Sequence, residues 1–463
     1  MENNRSRKLT PKQIRARKKK KRKLMIRRLC ALAVLVLLIA AMGFLVKSCG
    51  VQPEEDGHAP AAAPTPAYQE EGQTDGQAAV QAEQTPDVTQ EPTPEPTAMP
   101  TPEPTPYQLR SATILNMGDI VVHDAIREYA YDKETDTFDY KPIFSMIEDI
   151  IQAADYAVIN VDGVIMGKDK NGMYNSFPRF NIALEMIPNL QDVGVDMITL
   201  GNNHALDYYW DGFNKYMHYL DQYGMDHVGG ARTQEERDTP VIKEINGIRV
   251  GFLSYTTMTN AMERYCDPAA TQYGIAYTTN ADYKGDVKKL RDAGAEFVIV
   301  YMHWGNEYER DANVFQLAIA RDVAAAGADV IVGGHPHVIQ PIKYVHADLP
   351  NGERNSMLTA FSMGNILSNQ PEQYRDTGYM FRFTIQETEP GKFELQNPEY
   401  IPTYYWTEGV EARGFDSIRI INCGEYLENP PENMTQAKHK RLRACWKEAQ
   451  TLVGENYASI AAK

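Results

Sequence analysis

From Ser111 onward, short apolar runs alternate with stretches of helical period. The runs SATILNMGD (111–119), DYAVINVDG (155–163), VDMITLGNNH (195–204), EFVIVYMHWG (296–305), DVIVGGHPH (329–337) and MLTAFSMGN (357–365) are short, apolar and closed by glycine or polar turns. That is the pattern of strands buried on both faces. Between them FNIALEMIPNLQDVG (180–194), DGFNKYMHYLDQYG (211–224), DVKKLRDAG (286–294) and FQLAIARDVAAAG (315–327) predict helices, each closed by a glycine. VIKEINGIRVGFLSY (241–255) predicts a hairpin turning at Asn246-Gly247. YMFRFTIQET (379–388) and KFELQNPEYIPTYY (392–405) predict hairpin strands on a sheet edge, and TQAKHKRLRACWKEAQTLVG (435–454) a terminal helix. Strands alternating with helices imply a layered α/β core, and no internal repeat is visible.

The N-terminal quarter follows different rules. Residues 1–28 hold 14 Lys or Arg against one Glu, and Leu29–Val46 is uncharged and apolar over 18 residues. This length is near the lower limit for a bilayer-spanning helix, and no small-residue cleavage site follows it. Lys47 in VKSC also disfavours a lipid-modified Cys49. We therefore expect a basic cytoplasmic segment (1–28), an uncleaved transmembrane signal anchor (29–48), and all later residues outside the cell membrane. From Gly50 to Tyr107 the chain has 11 acidic residues, no Lys or Arg, and repeats such as EPTPEPTAMPTPEPTP. Such composition predicts a Pro/Thr/Glu-rich disordered linker (49–109), with a reach of roughly 180 Å at about 3.1 Å per residue. The remainder, 110–463, is expected to be one domain.

Of the chain's net charge of −15, the basic start and acidic linker leave −18 for residues 108–463. A surface this acidic excludes nucleic acid as a partner. Cysteines are few and scattered, so there is no disulfide framework, though Cys423 and Cys445 could pair in an oxidising exterior.

Candidate chemistry collects where strands end, as ligand sites in α/β sheets do. Asp119, Asp162, Asn203 with His204, His303, and the pair His335 and His337 all stand there, and His123 brings the count to five of the ten histidines. Alternation along an extended backbone would aim His335 and His337 to one side. Mixed imidazole, carboxylate and amide donors suit Mn, Fe or Zn better than Mg or Ca. Each residue also has a bland explanation. Asp119 and Asp162 could be turn or cap residues, Asn202 and Asn203 could serve left-handed backbone, and the histidines could be satisfied core groups.

GD, a strand ending Asn-x-acid, GNNHALD, HWGxEY, GGHPHV and SMGN, in that order from about Thr113 to Tyr404, resemble the capsule-synthesis CapA family associated with poly-γ-glutamate. That family is related to calcineurin-like metallophosphoesterases. The resemblance implies a four-layer α/β/β/α sandwich of the metallophosphoesterase type with two metal ions at one edge, polarising a phosphoryl oxygen and activating a water. It implies that Asp119 and His337 hold the first metal, that Asp162 bridges, and that Asn203, His303 and His335 hold the second. His204 would protonate the leaving oxygen or steady the phosphate, with Asp207 orienting it and Glu307 accessory. Two positions depart from the pattern: Val121 stands where the superfamily has a histidine, so His123 is a candidate substitute, and Asp162 stands where the capsule family has Glu. The function implied is a membrane-anchored extracellular protein assisting synthesis or export of an anionic capsule polymer beside membrane-embedded synthetase subunits. The alternatives are a metal-dependent envelope phosphoesterase and a non-catalytic polymer-binding scaffold.

Overall fold

A computed structural model describes residues 107–454, apart from 371, 410, 412 and 413. The expected anchor and nearly all of the linker lie outside these residues. Among the described residues no helix is long and apolar enough to cross a membrane.

Two sheets carry the fold. The first contains β1 (Ser111–Val121), β4 (Tyr156–Val161), β5 (Met197–Thr199), β6 (Asp226–Val228), β13 (Asn365–Ser368), β14 (Thr377–Glu389), β15 (Lys392–Gly409) and β16 (Phe415–Asn422). Its order is β16-β15-β14-β1-β4-β5-β6, with β13 paired to the end of β1. The second runs β11-β12-β10-β9-β8-β7, built from β7 (Val241–Ile245), β8 (Ile248–Thr256), β9 (Phe297–His303), β10 (Val330–Gly334), β11 (Ile342–Asp348) and β12 (Arg354–Ala360). A small ribbon, β2 (Tyr131–Asp132) with β3 (Thr137–Phe138), stands apart.

Strand periodicity makes the layers. Along β9, Phe297, Ile299 and Tyr301 enter the core between the sheets, while Val298, Val300 and Met302 enter the core under the helices Tyr283–Asp292 and Val314–Ala326. Along β4, Val158 joins the first of these cores, and Ala157, Ile159 and Val161 face the helices Met186–Asp192 and Tyr209–Tyr223 on the other side. The result is helix, sheet, sheet, helix. A buried polar tie crosses between the sheets: the Tyr301 hydroxyl donates to Asn116 Oδ1 at 2.6 Å, and Asn116 Nδ2 donates to the Phe381 carbonyl.

Helix ends follow local chemistry. Gly224 and Gly327 close their helices at φ 66° and 90°. Asn313 and Gln316 form a reciprocal capping box at the start of Val314–Ala326. Asn246-Gly247 makes the predicted hairpin turn.

Three expectations change. Residues 180–185 are not helical, and the helix begins at Met186, because Asn181 bridges to Val164 and Asn175 instead. The strands β14 and β15 lie inside their sheet, not on its edge, because β16 pairs beyond β15. Cys423 and Cys445 are free thiols buried in one apolar cluster.

Candidate metal centre

Register brings the candidate residues level. In the first sheet Asp119 pairs with Asn160 of β4 and with Asn365 of β13. In the second, His303 pairs with Gly334 of β10 and Thr256 of β8. Gly118 permits the junction of β1 with β13, since a Cβ there would stand 2.1 Å from the Gly364 carbonyl oxygen.

Among the described residues, Asp119, Asp162 and His337 offer ligand atoms within 4.8 Å of one another, all buried. Asp119 is anchored: Asn160 Nδ2 donates to Oδ1 at 2.8 Å and the His335 backbone N–H to Oδ2 at 2.9 Å. Asp162 is different. Neither of its oxygens has a hydrogen-bond partner, although both are sealed from solvent. Its neighbours are His337 Nε2 at 3.8 Å and His303 Nε2 at 3.9 Å. A second group converges on His303 Nε2, with Asn203 Oδ1 at 2.7 Å and His335 Nδ1 at 3.2 Å.

Charge completes the picture. Burial pushes both carboxyl groups above their ordinary pKa range, Asp162 to about 6, where the Asp119 charge adds a smaller push. Burial and neighbouring imidazoles hold His303 well below its usual value and bring His335 to about 3. Both rings are therefore neutral near pH 7, with lone pairs to offer. Unpartnered carboxylate oxygens beside neutral imidazoles and an amide oxygen form a donor set that fits a divalent cation.

The paired histidines do not meet by strand alternation. His335 and His337 adopt left-handed backbone at φ 92° and 56°, and their ring centroids are 6.0 Å apart. Strain of this kind in non-glycine residues collects at functional sites. Asn202 and Asn203 are not left-handed. Instead, Asn202 ties the turn together, donating to the Val161 carbonyl and accepting from the His204 backbone N–H.

His204 stands beside this group. Its Nδ1 lies 2.7 Å from Asp207 Oδ2, which also accepts from the Phe180 backbone N–H, and the Phe180 ring packs edge-on against the imidazole at 4.8 Å. Burial alone would lower the His204 pKa, but Asp162 and the Asp207 bond outweigh it and the value rises. Asp207 is no helix cap, since that place belongs to Tyr208, with no side-chain bond.

Two accessory candidates are placed by other contacts. His123 places Nδ1 3.2 Å from the Val121 carbonyl and packs on Phe180 at 5.7 Å. Glu307 is exposed, and its charge acts on His204 from a distance.

The motifs Asn-x-acid and SMGN contain Asn160 and Asn365 without giving either a role, and no pattern pointed to Phe180. Asn365 holds Oδ1 3.0 Å from His337 Nδ1. Its signal was its place as the last residue of SMGN.

Comparison with known proteins bears on the family. The model of the family described as bacterial capsule synthesis protein PGA_cap matches residues 113–370. The chain is 24% identical over 282 residues to the PGA biosynthesis protein CapA of Bacillus subtilis (strain 168), covering 60% of this chain and 69% of that one. It is 26% identical over 233 residues to the capsule biosynthesis protein CapA of Bacillus anthracis, covering 49% and 55%, so it spans little more than half of that relative. Among solved structures, the calcineurin-like phosphoesterase YfkN from Bacillus subtilis aligns at 16% identity and a TM-score of 0.37, covering 73% of this chain and all of that one. With its match running through more than half its length, the chain belongs to the bacterial capsule synthesis protein family PGA_cap.

Proposed function

We propose that the protein is a membrane-anchored capsule-machinery component whose domain lies outside the cell, where it assists synthesis or export of an anionic polymer of the poly-γ-glutamate type. Family membership supports the polymer role, and the order of basic then apolar residues in 1–46 supports an anchor with a cytoplasmic N-terminus. Polymer synthetase subunits in the membrane are the proposed partners.

The edge of the sandwich would hold two divalent cations drawn from Mn, Fe and Zn. Asp119, Asp162 and His337 are the proposed ligands of one, and Asn203, His303 and His335, with Asp162 shared, of the other. Such cations supply Lewis-acid polarisation of a phosphoryl oxygen. The protein's own contribution is positional and protonic. Asp207 holds the His204 ring by Nδ1, leaving the other nitrogen to give a proton to a leaving oxygen. Phe180 packs against that ring and limits its movement.

The observation that carries this reading is Asp162, a buried carboxylate with two unpartnered oxygens beside Asp119 and His337. Metal quantification on the purified full-length chain tests it. One to two equivalents are expected, with large losses in His335→Ala and His337→Ala. A parent holding no metal, or variants holding as much as the parent, would overturn it. Hydrolysis of a generic phosphodiester that vanishes in His204→Ala while metal is retained would support the chemistry. Unchanged surface polymer in a deletion strain would count against the capsule role.

Val121, standing where the superfamily has a histidine, favours a second reading, a polymer-binding scaffold with a partial site. One equivalent of metal and no hydrolysis by the parent would select it.

A further inference from the structure

The described domain is strongly acidic, yet arginines stacked on tyrosines stand next to the metal centre in two places. On the His204 side, Arg179 lies 4.8 Å from the ring centres of both Tyr208 and Tyr209. Tyr209 in turn packs edge-on against Tyr265 at 6.3 Å, and both tyrosines are exposed. This set is tied to the centre through its chain neighbours: Phe180, next to Arg179, touches His204, and Asp207, next to Tyr208, holds it. On the His337 side, Arg375 lies 3.4 Å from the centre of the Tyr308 ring, which is itself 6.3 Å from the His337 ring. Asn365, the partner of His337, also donates to the Arg375 carbonyl. The arrangement there is reciprocal, because Arg310 lies over Tyr374 at 4.1 Å. Tyr209, Tyr308 and Tyr374 all hold left-handed backbone, at φ 60°, 66° and 77°.

The arginines are incompletely paired. Arg179 Nε and Nη2 and Arg310 Nε, sealed from solvent in this arrangement, find no acceptor in the protein. Arg375 has one carboxylate partner, Glu372 at 3.1 Å, whose side chain is 59% exposed. A guanidinium stacked on a ring keeps its in-plane N–H edge for a carboxylate or phosphate, and stacking fixes its direction.

We propose that the two arginine–tyrosine sets are subsites for successive anionic groups of one extended ligand laid across the centre. The claim rests on the metal-centre reading above for what happens between the subsites. Binding at two linked subsites raises affinity for a chain over its monomer with no new kind of contact.

The test is equilibrium binding to the full-length, metal-loaded chain, with metal content and thermal stability measured on each sample. Probes are glutamate and glutamate oligomers of increasing length, and inorganic phosphate and polyphosphates of matching length. Affinity should rise steeply from monomer to chain in one series, and the series that rises identifies the anion as carboxylate or phosphate. Arg179→Gln and Arg375→Gln should each weaken chain binding by about tenfold or more, the scale of one lost charge-assisted contact, with metal content unchanged. Arg354→Gln, on an exposed residue at the opposite end of its strand, should bind like the parent. If a glutamine variant fails to fold, the lysine variant at that position keeps the charge without the fork and should still bind chains more weakly than the parent. Equal affinity for monomers and chains in both series overturns the proposal, as do folded Arg179 and Arg375 variants that bind like the parent. A parent without metal sinks the centre reading instead, and the arginine dependence is then still read from binding alone.

Discussion

Two fully buried carboxylates, Glu387 and Asp162, show opposite solutions to the same physical problem. Glu387 lies in β14 beside Tyr107 and Arg110. It accepts from the Tyr107 hydroxyl, from the Arg110 backbone N–H, Nε and Nη2, and from the Gly391 N–H, at 2.6 to 3.1 Å. Asp162 follows β4 at the site end and accepts from nothing. An uncompensated buried charge costs several kcal/mol, roughly, even after relaxation. Where a carboxylate serves the fold, the chain completes its bonding. Where the chain leaves such a group incomplete next to other ligand-type atoms, the site is open to the external partner proposed above.

The strongest way to break this comparison is to remove each charge. Asp162→Asn should lower metal affinity on the order of 100-fold or more, since even outer partners of a metal are worth 10- to 100-fold. The melting temperature of metal-free protein should stay level or rise. Glu387→Gln should do the reverse, keeping metal and lowering the melting temperature. Metal titration and calorimetry on both variants decide it, and a metal-free Asp162 variant that melts early would collapse the distinction.

His204 and Asp207 sharpen the site end. His204→Ala should cut phosphodiester turnover by about 10²- to 10⁴-fold, the usual scale of a proton-transfer group. Asp207→Asn, which leaves the ring in place but weakens its anchor, should cost about 10- to 100-fold. Both should retain metal. Loss of metal in either would make His204 part of the ligand scaffold.

A smaller effect is expected at Gly334. A Cβ there would stand 2.6 Å from Asp119 Oδ1, a carboxylate pinned by Asn160 and the His335 N–H. Gly334→Ala should therefore displace Asp119 and weaken metal binding by about tenfold, because misplacement of this order costs up to 100-fold in tuned sites. Affinity equal to the parent's would show that Asp119 has room to move.

Which parts of this were legible in the sequence follows the range of the interactions. Helix ends at Gly224 and Gly327 and the turn at Asn246-Gly247 are local chemistry, and they are readable in a few residues. The gathering of ligand-type side chains at strand ends was readable too, because parallel strands buried on both faces announce their own termini. Register was not. Nothing local says that Asp119 stands level with Asn160 and Asn365, since those pairings join residues 41 and 246 positions apart, and nothing in 392–405 says that β16 extends the sheet beyond β15. The backbone of His335 and His337 was misread for a related reason: both are left-handed against their intrinsic preference, and only the surrounding contacts enforce that.

The last test uses pH at the Glu387 end. Arg110 is the main cause holding the Glu387 carboxyl well below the usual glutamate range, which is about 4.3 unfolded. The folded state therefore binds fewer protons than the unfolded one. Its contribution is fully present above about pH 4.3 and is lost as pH falls further, through the folded-state value. Glu387→Gln should thus melt earlier than the parent at pH 7, and the gap should narrow steadily below about pH 4. Arg110→Gln should show the same convergence, because the two residues act through one set of bonds. A gap that stays constant with pH would mean that these residues stabilise the junction by packing rather than by charge. The contrast with Asp162 would then be one of shape, not of satisfied and unsatisfied charge.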